Sequence, residues 1–283
     1  MKNILVATDF SNNAYSALHY ATQLLASKPC TFYILNVFDK LTPILGNKAK
    51  LFNNKHRLTT LQKESKEGLE ITSHRIVLDT DNTKHLFKTI SKKGNLADTI
   101  AKTIEEKKID LVVMGNKGLN ETADIFFGSN TIKTINHINK CPVLAIPGET
   151  DFKTPKEIAF ITDLKRDCTK DSIAPLLFLA SLTKASVSVM HITEEKILNK
   201  EQESYRKLLA LCLKDIDHSF HWVQKFEDKA KVIEVFLKKQ QIDMYAMVNH
   251  KRNLFEKLTR EPVIKDVSMY ADIPFLILPH QEV

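Results

Sequence analysis

Apolar residues along this chain arrive in two alternating rhythms. Lys2–Thr8 (KNILVAT) is an apolar run of strand length, with Asp9 at its carboxyl end. Ser11 follows as a helix N-cap candidate, and Ala14, Leu18, Ala21 and Leu25 fall at helical spacing, which predicts an amphipathic helix to about Ser27. Thr31–Val37 (TFYILNV) is a second strand. Strand, helix and strand in so short a stretch make a βαβ unit, whose strands run parallel through a right-handed crossover. Leu86–Ile90 reads as a further strand and Asn95–Lys108 as a helix with Ile100, Ile104 and Ile109 inward. Leu111–Met114 and Val143–Ile146 are buried strands on either side of a helical pattern formed by Ile132, Ile135 and Ile138. Residues 39–84 are less regular. Leu51, Leu58, Leu61 and Leu69 suggest a helix there, and Ile71–Leu78 could be its continuation or an extra strand.

The pattern stops at Gly148 and then begins again. Residues 149–155 (ETDFKTP) are polar with a proline, as a linker should be. Beyond them, Lys156–Leu164 (KEIAFITDL) lies over Lys2–Phe10 (KNILVATDF) at an offset of 154, Thr-Asp on Thr-Asp. Val187–Ile192 lies over Phe32–Val37, Ile242–Met247 over Ile109–Met114 at an offset of 133, and Pro274–Pro279 over Pro142–Pro147 at 132. The chain is a tandem duplication, with one copy at 1–148 and a second at 156–283. The second copy is about 22 residues shorter, all lost from the irregular 39–84 region, which makes that region peripheral. The expected fold class is α/β: two tandem doubly wound, mostly parallel five-stranded sheets with helices on both faces. In such sheets ligands bind beyond the carboxyl ends of the strands, where the strand order reverses. Asp9, Val37 and Gly115 end the first, second and fourth strands and should share one rim.

Composition narrows the class. A chain of 283 residues with 43% hydrophobic and 27% charged content has material for two ordinary cores. No apolar run approaches the roughly 20 residues that span a bilayer, and the first residues (MKNILVATDF) lack signal-peptide organisation, so a cytoplasmic protein without membrane contact is expected. Cys30, Cys141, Cys168 and Cys212 are scattered and suggest thiols in a reducing compartment rather than a disulfide or zinc framework. The net charge of +7 is spread through Glu/Lys mixtures such as Glu105-Glu106-Lys107-Lys108, so no specific nucleic-acid partner is expected.

The candidate chemistry lies between Asp110 and Pro147. The strand Leu111–Met114 ends in Gly115, Gly118 follows after two intervening residues and Gly128 after nine more; Gly128 leads into Ser129-Asn130-Thr131 at a helix start. Glycines allow positive φ and close approach to the main chain, and successive free amides with a helix N-terminus make a concave anion site. Ser129 and Thr131 would add hydroxyl donors and Lys117 a positive charge, so phosphate is the natural guest. The same glycines would also serve a ligand-free strand end and helix start.

With those residues in place, the chain resembles a universal stress protein of the tandem type, within the adenine-nucleotide hydrolase-like α/β superfamily. The resemblance rests on the G-2x-G-9x-G-[S/T] loop at Gly115, Gly118, Gly128 and Ser129, on the strand-end Asp9, and on the last strand Pro142–Pro147. It implies ATP as cofactor, held with the loop around the phosphates. Asp9 would then lie near ribose and phosphates and help hold a divalent cation such as Mg2+, the main chain around Val37 would read adenine, and Thr8 and Met114 would line the pocket. Asn130 stands where the family usually has a small apolar residue. The resemblance further implies that Val143–Ile146 and Phe275–Leu278, expected edge strands, pair across a pseudo-twofold axis, so that one chain mimics a homodimer. Two chains could still associate through other surfaces.

The second copy departs from this pattern. All seven glycines lie at or before Gly148, and the offset of 133 puts Val248, Lys251 and Glu261 where the first copy has Gly115, Gly118 and Gly128. Side chains there would stand where the backbone must meet phosphate, so ATP binding of the family kind is expected in the first copy only. No G-K-[S/T] loop, G-x-S-x-G elbow or H-E-x-x-H spacing occurs, so no catalytic residue is assigned and at most slow ATP hydrolysis is expected. Two alternatives stay open: a partner-binding scaffold without nucleotide, and a sensor of another anion at His250-Lys251-Arg252 in the second copy.

Overall fold

The two rhythms of the sequence become ten strands and seven helices in a computed structural model of the protein, which describes residues 2–39, 54–116, 128–138, 140–148, 150–164, 170–193, 198–225, 229–249 and 273–279. The first half runs β1 (Lys2–Ala7), α1 (Asn12–Leu24), β2 (Cys30–Phe38), α2 (Asn54–Thr80), β3 (His85–Lys93), α3 (Leu96–Lys107), β4 (Leu111–Gly115), α4 (Ser129–His137) and β5 (Val143–Ile146). The second half runs β6 (Glu157–Ile161), α5 (Ala174–Thr183), β7 (Ser186–Thr193), α6 (Lys200–Cys212), β8 (His218–Gln224), α7 (Lys229–Lys239), β9 (Met244–Val248) and β10 (Phe275–Leu278). Ile71–Leu78 continues α2 rather than forming a strand.

The strand order is β3-β2-β1-β4-β5 in the first half and β8-β7-β6-β9-β10 in the second. Neighbours within each half are parallel. The two expected five-stranded sheets are joined into one sheet of ten strands. β5 and β10 meet antiparallel, with Phe275 opposite Ala145, Leu276 opposite Leu144 and Ile277 opposite Val143. Each of these strands is only four residues long and buried throughout. Left as an edge, either would present apolar side chains and unpaired backbone groups to water.

Strand periodicity divides the core between the two faces. Ile4, Val6, Leu144, Leu276 and Leu278 point to the face covered by α1, α2, α5 and α6; Leu5, Ala145, Phe275 and Ile277 point to the face covered by α3, α4 and α7. Both cores run through the β5–β10 seam without a break, and Tyr245 stacks on Phe275 with ring centroids 4.3 Å apart. Each fully buried aliphatic or aromatic side chain contributes about 1.5–3 kcal/mol, so the seam is held by packing more than by its few ladder bonds.

Local chemistry repeats between the halves. Asp110 accepts from the Asn3 amide at 2.8 Å, and Asp243 accepts from the Lys156 and Glu157 amides at 2.8 and 3.1 Å, so each half fixes the start of its first strand with the aspartate before its fourth. The helices differ. α2 is anchored by buried Leu69 and Ile76 and by a Ser65–Ser91 hydroxyl bond of 2.7 Å, whereas α6 is shorter and Trp222 on β8 stays 46% exposed. Trp222 and Ser91 hold matching places, opposite His191 and Asn36 in the second strand of each half.

His85, at the start of β3, packs edge-on against Phe32 at 4.9 Å, and its Nε2–H donates to the Leu25 carbonyl at 3.3 Å. Its Nδ1 is buried without a hydrogen-bond partner, and burial lowers its pKa below the usual 6.5. The unfolded chain therefore binds this proton more readily than the folded one. The contribution is complete above about pH 6.5, falls as pH drops through that value, and levels off below the folded pKa. We predict that in urea titrations at pH 7 and pH 5 the His85→Phe variant loses less stability over that interval than the wild type. An equal loss would mean that His85 does not carry the acid sensitivity.

Candidate functional site

The carboxyl ends of β1, β2 and β4 lie on one rim because the three strands are parallel and in register, Ala7 opposite Leu35 and Val6 opposite Val113. From β1 the chain turns one way to β2 and β3 and later the other way to β4 and β5, so the β1/β4 boundary is the point where strand order reverses. β2 extends past the end of β1, which carries Asn36, Val37 and Phe38 beyond Ala7 along the rim. Val37 is half-buried there, and its other side is paired with Lys92 of β3.

Past β1, the Thr8 amide donates to the Leu35 carbonyl at 2.9 Å, and Thr8 Oγ1 accepts from the Phe10 amide at 3.0 Å. This places Phe10 at φ 65°, a conformation that costs a bulky residue about 1–2 kcal/mol. The Phe10 ring lies so close to Gly68 of α2 that a Cβ there would sit 2.7 Å from it, so glycine is what lets this helix approach the rim. Asp9 Oδ1 accepts from the Ser11 amide at 3.0 Å and from Ser11 Oγ at 2.5 Å, while Ser11 Oγ caps α1 by accepting from Ala14 at 3.1 Å. Asp9 thus orients the helix cap. Asn36 Nδ2 donates to the Thr8 carbonyl at 2.7 Å.

The second half builds the same turn. Thr162 Oγ1 accepts from the Leu164 amide at 3.1 Å, Leu164 has φ 54°, and the Thr162 carbonyl accepts from His191 Nδ1–H at 3.0 Å in place of the asparagine. The strained residue therefore belongs to the strand-to-helix turn of the fold, since it persists in the half whose glycines are gone.

Across the reversal point, β4 ends at Gly115 and the chain returns at Gly128. The Gly128 amide donates to the Asn116 carbonyl at 2.6 Å, the Asn116 amide to the Ile146 carbonyl at 2.7 Å, and Thr131 Oγ1 to the Gly115 carbonyl at 3.0 Å. The two ends of the glycine loop are thereby tied together at the foot of α4. Gly128 is the N-cap of α4 and offers no side chain to its first-turn amides, whereas Ser11 and Asn95 cap α1 and α3. Ser129 and Asn130 are exposed at that end; Gly128 and Thr131 are buried beneath it. A helix start without a side-chain cap, on the rim of a parallel sheet, suits an anion.

Of the expected site residues, Thr8, Asp9, Val37, Met114, Gly115, Gly128, Ser129, Asn130 and Thr131 lie along this rim or just below it. Thr131 has its hydroxyl turned to Gly115, and Met114 is buried in the core under the rim. Lys117 and Gly118 lie outside the described residues, as do Lys251 and Glu261 of the second half. In that half, Val248 sits at the β9 end as Gly115 does at the β4 end, opposite Leu278 where Gly115 is opposite Ile146. Its side chain is buried, so the strand end there is filled.

Asn116, Asn249 and Asn36 escaped the sequence reading. Extending the offset of 133 two residues past Met114 and Met247 would have set Asn116 on Asn249, a match visible without structure. Among the described residues there is no cluster of His, Cys, Asp and Glu able to hold a metal, and no helix long and apolar enough to cross a membrane. Burial pushes the thiols of Cys30 and Cys212 upward and that of Cys141 to about 12, far from an activated nucleophile.

A doubly wound parallel α/β sheet, with a glycine loop closing onto a helix start at its reversal point, defines the class. The chain belongs to the universal stress protein family, whose profile matches residues 1–147, and its two similar halves make it a member of tandem build. A universal stress protein of Synechocystis is 27% identical over 151 residues, covering 52% of this chain and 85% of that protein. Another, from Methanocaldococcus jannaschii, is 29% identical over 160 residues, covering 51% and 94%. The crystal structure of a universal stress protein from Archaeoglobus fulgidus covers 99% of this chain and 97% of its own with a TM-score of 0.70 at 15% identity, a likeness of fold that spans both halves.

The Thr131–Gly115 bond gives a direct check on the rim. Thr131→Val keeps the shape and removes the donor, and we expect a loss of about 1 kcal/mol in urea unfolding. An unchanged midpoint would show that this bond does not hold α4 to β4.

Proposed function

We propose that the first half, residues 1–148, binds ATP at the β1/β4 reversal point, and that the second half, residues 156–283 beyond a linker at 149–155, is structural or regulatory. The observation that carries this reading is the contrast between the two fourth strands. β4 ends in glycine and leads to a helix start with no side-chain cap, while β9 ends in a buried valine. Phosphates would lie against the helix start at Ser129 and Asn130, where Gly128 leaves the approach clear of a side chain, with Lys117 and Gly118 supplied by the loop. Adenine would meet the main chain around Val37, where β2 outruns β1. Thr131 acts from below by fixing α4 to β4, and Met114 forms the floor.

Asp9 fits beside such a ligand as a cap holder and, with nucleotide bound, would help hold a divalent cation such as Mg2+. A carboxylate so close to phosphate without a cation would weaken binding, so ATP affinity should fall when Mg2+ is chelated. The joined sheets support reading the chain as a pseudo-dimer of two family domains, and a cytoplasmic location suits the reducing chemistry of its buried thiols.

The test is direct. The purified protein should carry adenine nucleotide, seen as excess absorbance at 260 nm and identified by chromatography, or should bind added ATP. Gly118→Glu should weaken that binding by roughly tenfold or more, about 1.4 kcal/mol, and Lys251→Ala should leave it unchanged. Absence of binding in the wild type would favour a scaffold without nucleotide. A marked loss in Lys251→Ala would place the ligand in the second half.

A further inference from the structure

We propose that Asn249, from the second half, is a positioning residue for the anion-facing helix α4 of the first half, an inference that rests on the nucleotide reading above. Asn249 directly follows β9, and its backbone amide donates to the Leu278 carbonyl at 2.9 Å, which fixes it at the end of β10. Its side chain crosses the seam: Nδ2 donates to the carbonyl of Ile135 at 2.9 Å, and the bond is buried. Ile135 lies in the last turn of α4, among the carbonyls that a helix cannot satisfy from within itself. A donor at that end also complements the helix dipole.

Asn116 holds the matching place in the first half, and its carbonyl accepts from Gly128 at the opposite end of the same helix. α4 is therefore held by two related asparagines, one from each half, Asn116 at its N-cap and Asn249 in its last turn. At nine residues α4 is about 13 Å long at 1.5 Å per residue, too short to bend appreciably. A shift at Ile135 is thus carried to the amides of Ser129 and Asn130. With Val248 filling the β9 end, this rim of the second half serves the first half's helix rather than a ligand of its own. The first-half site is incomplete without the second half, and nucleotide on one side is coupled to β9 on the other.

The test uses the full chain with Asn249→Ala, which removes the donor, and Asn249→Asp, which puts a carboxylate against the helix C-terminus. Hydrogen exchange without nucleotide should quicken at 129–138 in both variants and stay unchanged in α1. ATP affinity, measured by calorimetry well below the unfolding temperature, should weaken roughly fivefold in Asn249→Ala and further in Asn249→Asp. Phe160→Leu, a core change in β6 away from α4, controls for lost stability and should leave affinity unchanged. Unaltered exchange in α4 would overturn the inference whether or not nucleotide binds. Faster exchange with unaltered affinity would reduce Asn249 to a purely structural contact and overturn it as well. If the wild type binds no ATP, the nucleotide reading fails, and the exchange at α4 still decides whether Asn249 holds that helix.

Discussion

Two four-residue strands, β5 as the last of the first half and β10 as the last of the second, close each other's edge. Everything else in the architecture is arranged to let them meet. Each half winds outward from its first strand and finishes on an apolar strand with nothing of its own to cover it. A free edge strand of that kind is a template for aggregation or for pairing with a second copy. Here the duplication supplies the partner within the same molecule, and because the pairing is antiparallel the two halves face each other across one continuous core on each side of the sheet. The constraint also explains what the second half has kept. Its strands, its Thr-Asp turn and its strand-starting Asp243 all persist although its glycines do not.

The strand-to-helix turn shows how fold and function can be told apart. A bulky residue at positive φ often marks a functional site, and Phe10 sits on the candidate rim. Yet Leu164 adopts the same conformation where the strand end beside it is filled by Val248. The strain therefore follows from the turn that leads each first strand into its helix. Among the described residues, what separates the halves is the end of the fourth strand. The first half keeps glycine at Gly115 and Gly128, and the second turns the same rim inward, with Asn249 reaching across the seam to α4.

Much of this was legible in the sequence, and for physical reasons. Buried strands read as short apolar runs, helices as 3.6-residue stripes, and duplication as conserved offsets, so Lys2–Thr8, Asn95–Lys108 and the repeat at 154 and 133 translate directly into elements. The glycine spacing pointed to the reversal point because only glycine lets a chain approach another group so closely. Less was legible where polar side chains act on distant backbone. Asn36 on the Thr8 carbonyl, Asn249 on the Ile135 carbonyl and the contact of Gly68 with Phe10 depend on tertiary placement that no periodicity encodes. The long polar helix α2 was ambiguous for the opposite reason: much of its surface faces water, so Ile71 and Leu78 are exposed and break the apolar stripe.

If the seam makes the two halves a single cooperative unit, they cannot unfold separately. The one tryptophan, Trp222, lies on β8 at the far edge of the second half, stacked on Phe220 and against His191, and so reports on that half alone. Urea unfolding followed both by Trp222 fluorescence and by far-ultraviolet circular dichroism, which senses the helices of both halves, tests this account most directly. We expect the two curves to coincide in one transition with a common midpoint. A Trp222 transition that precedes or follows a second, separate loss of helix would contradict it.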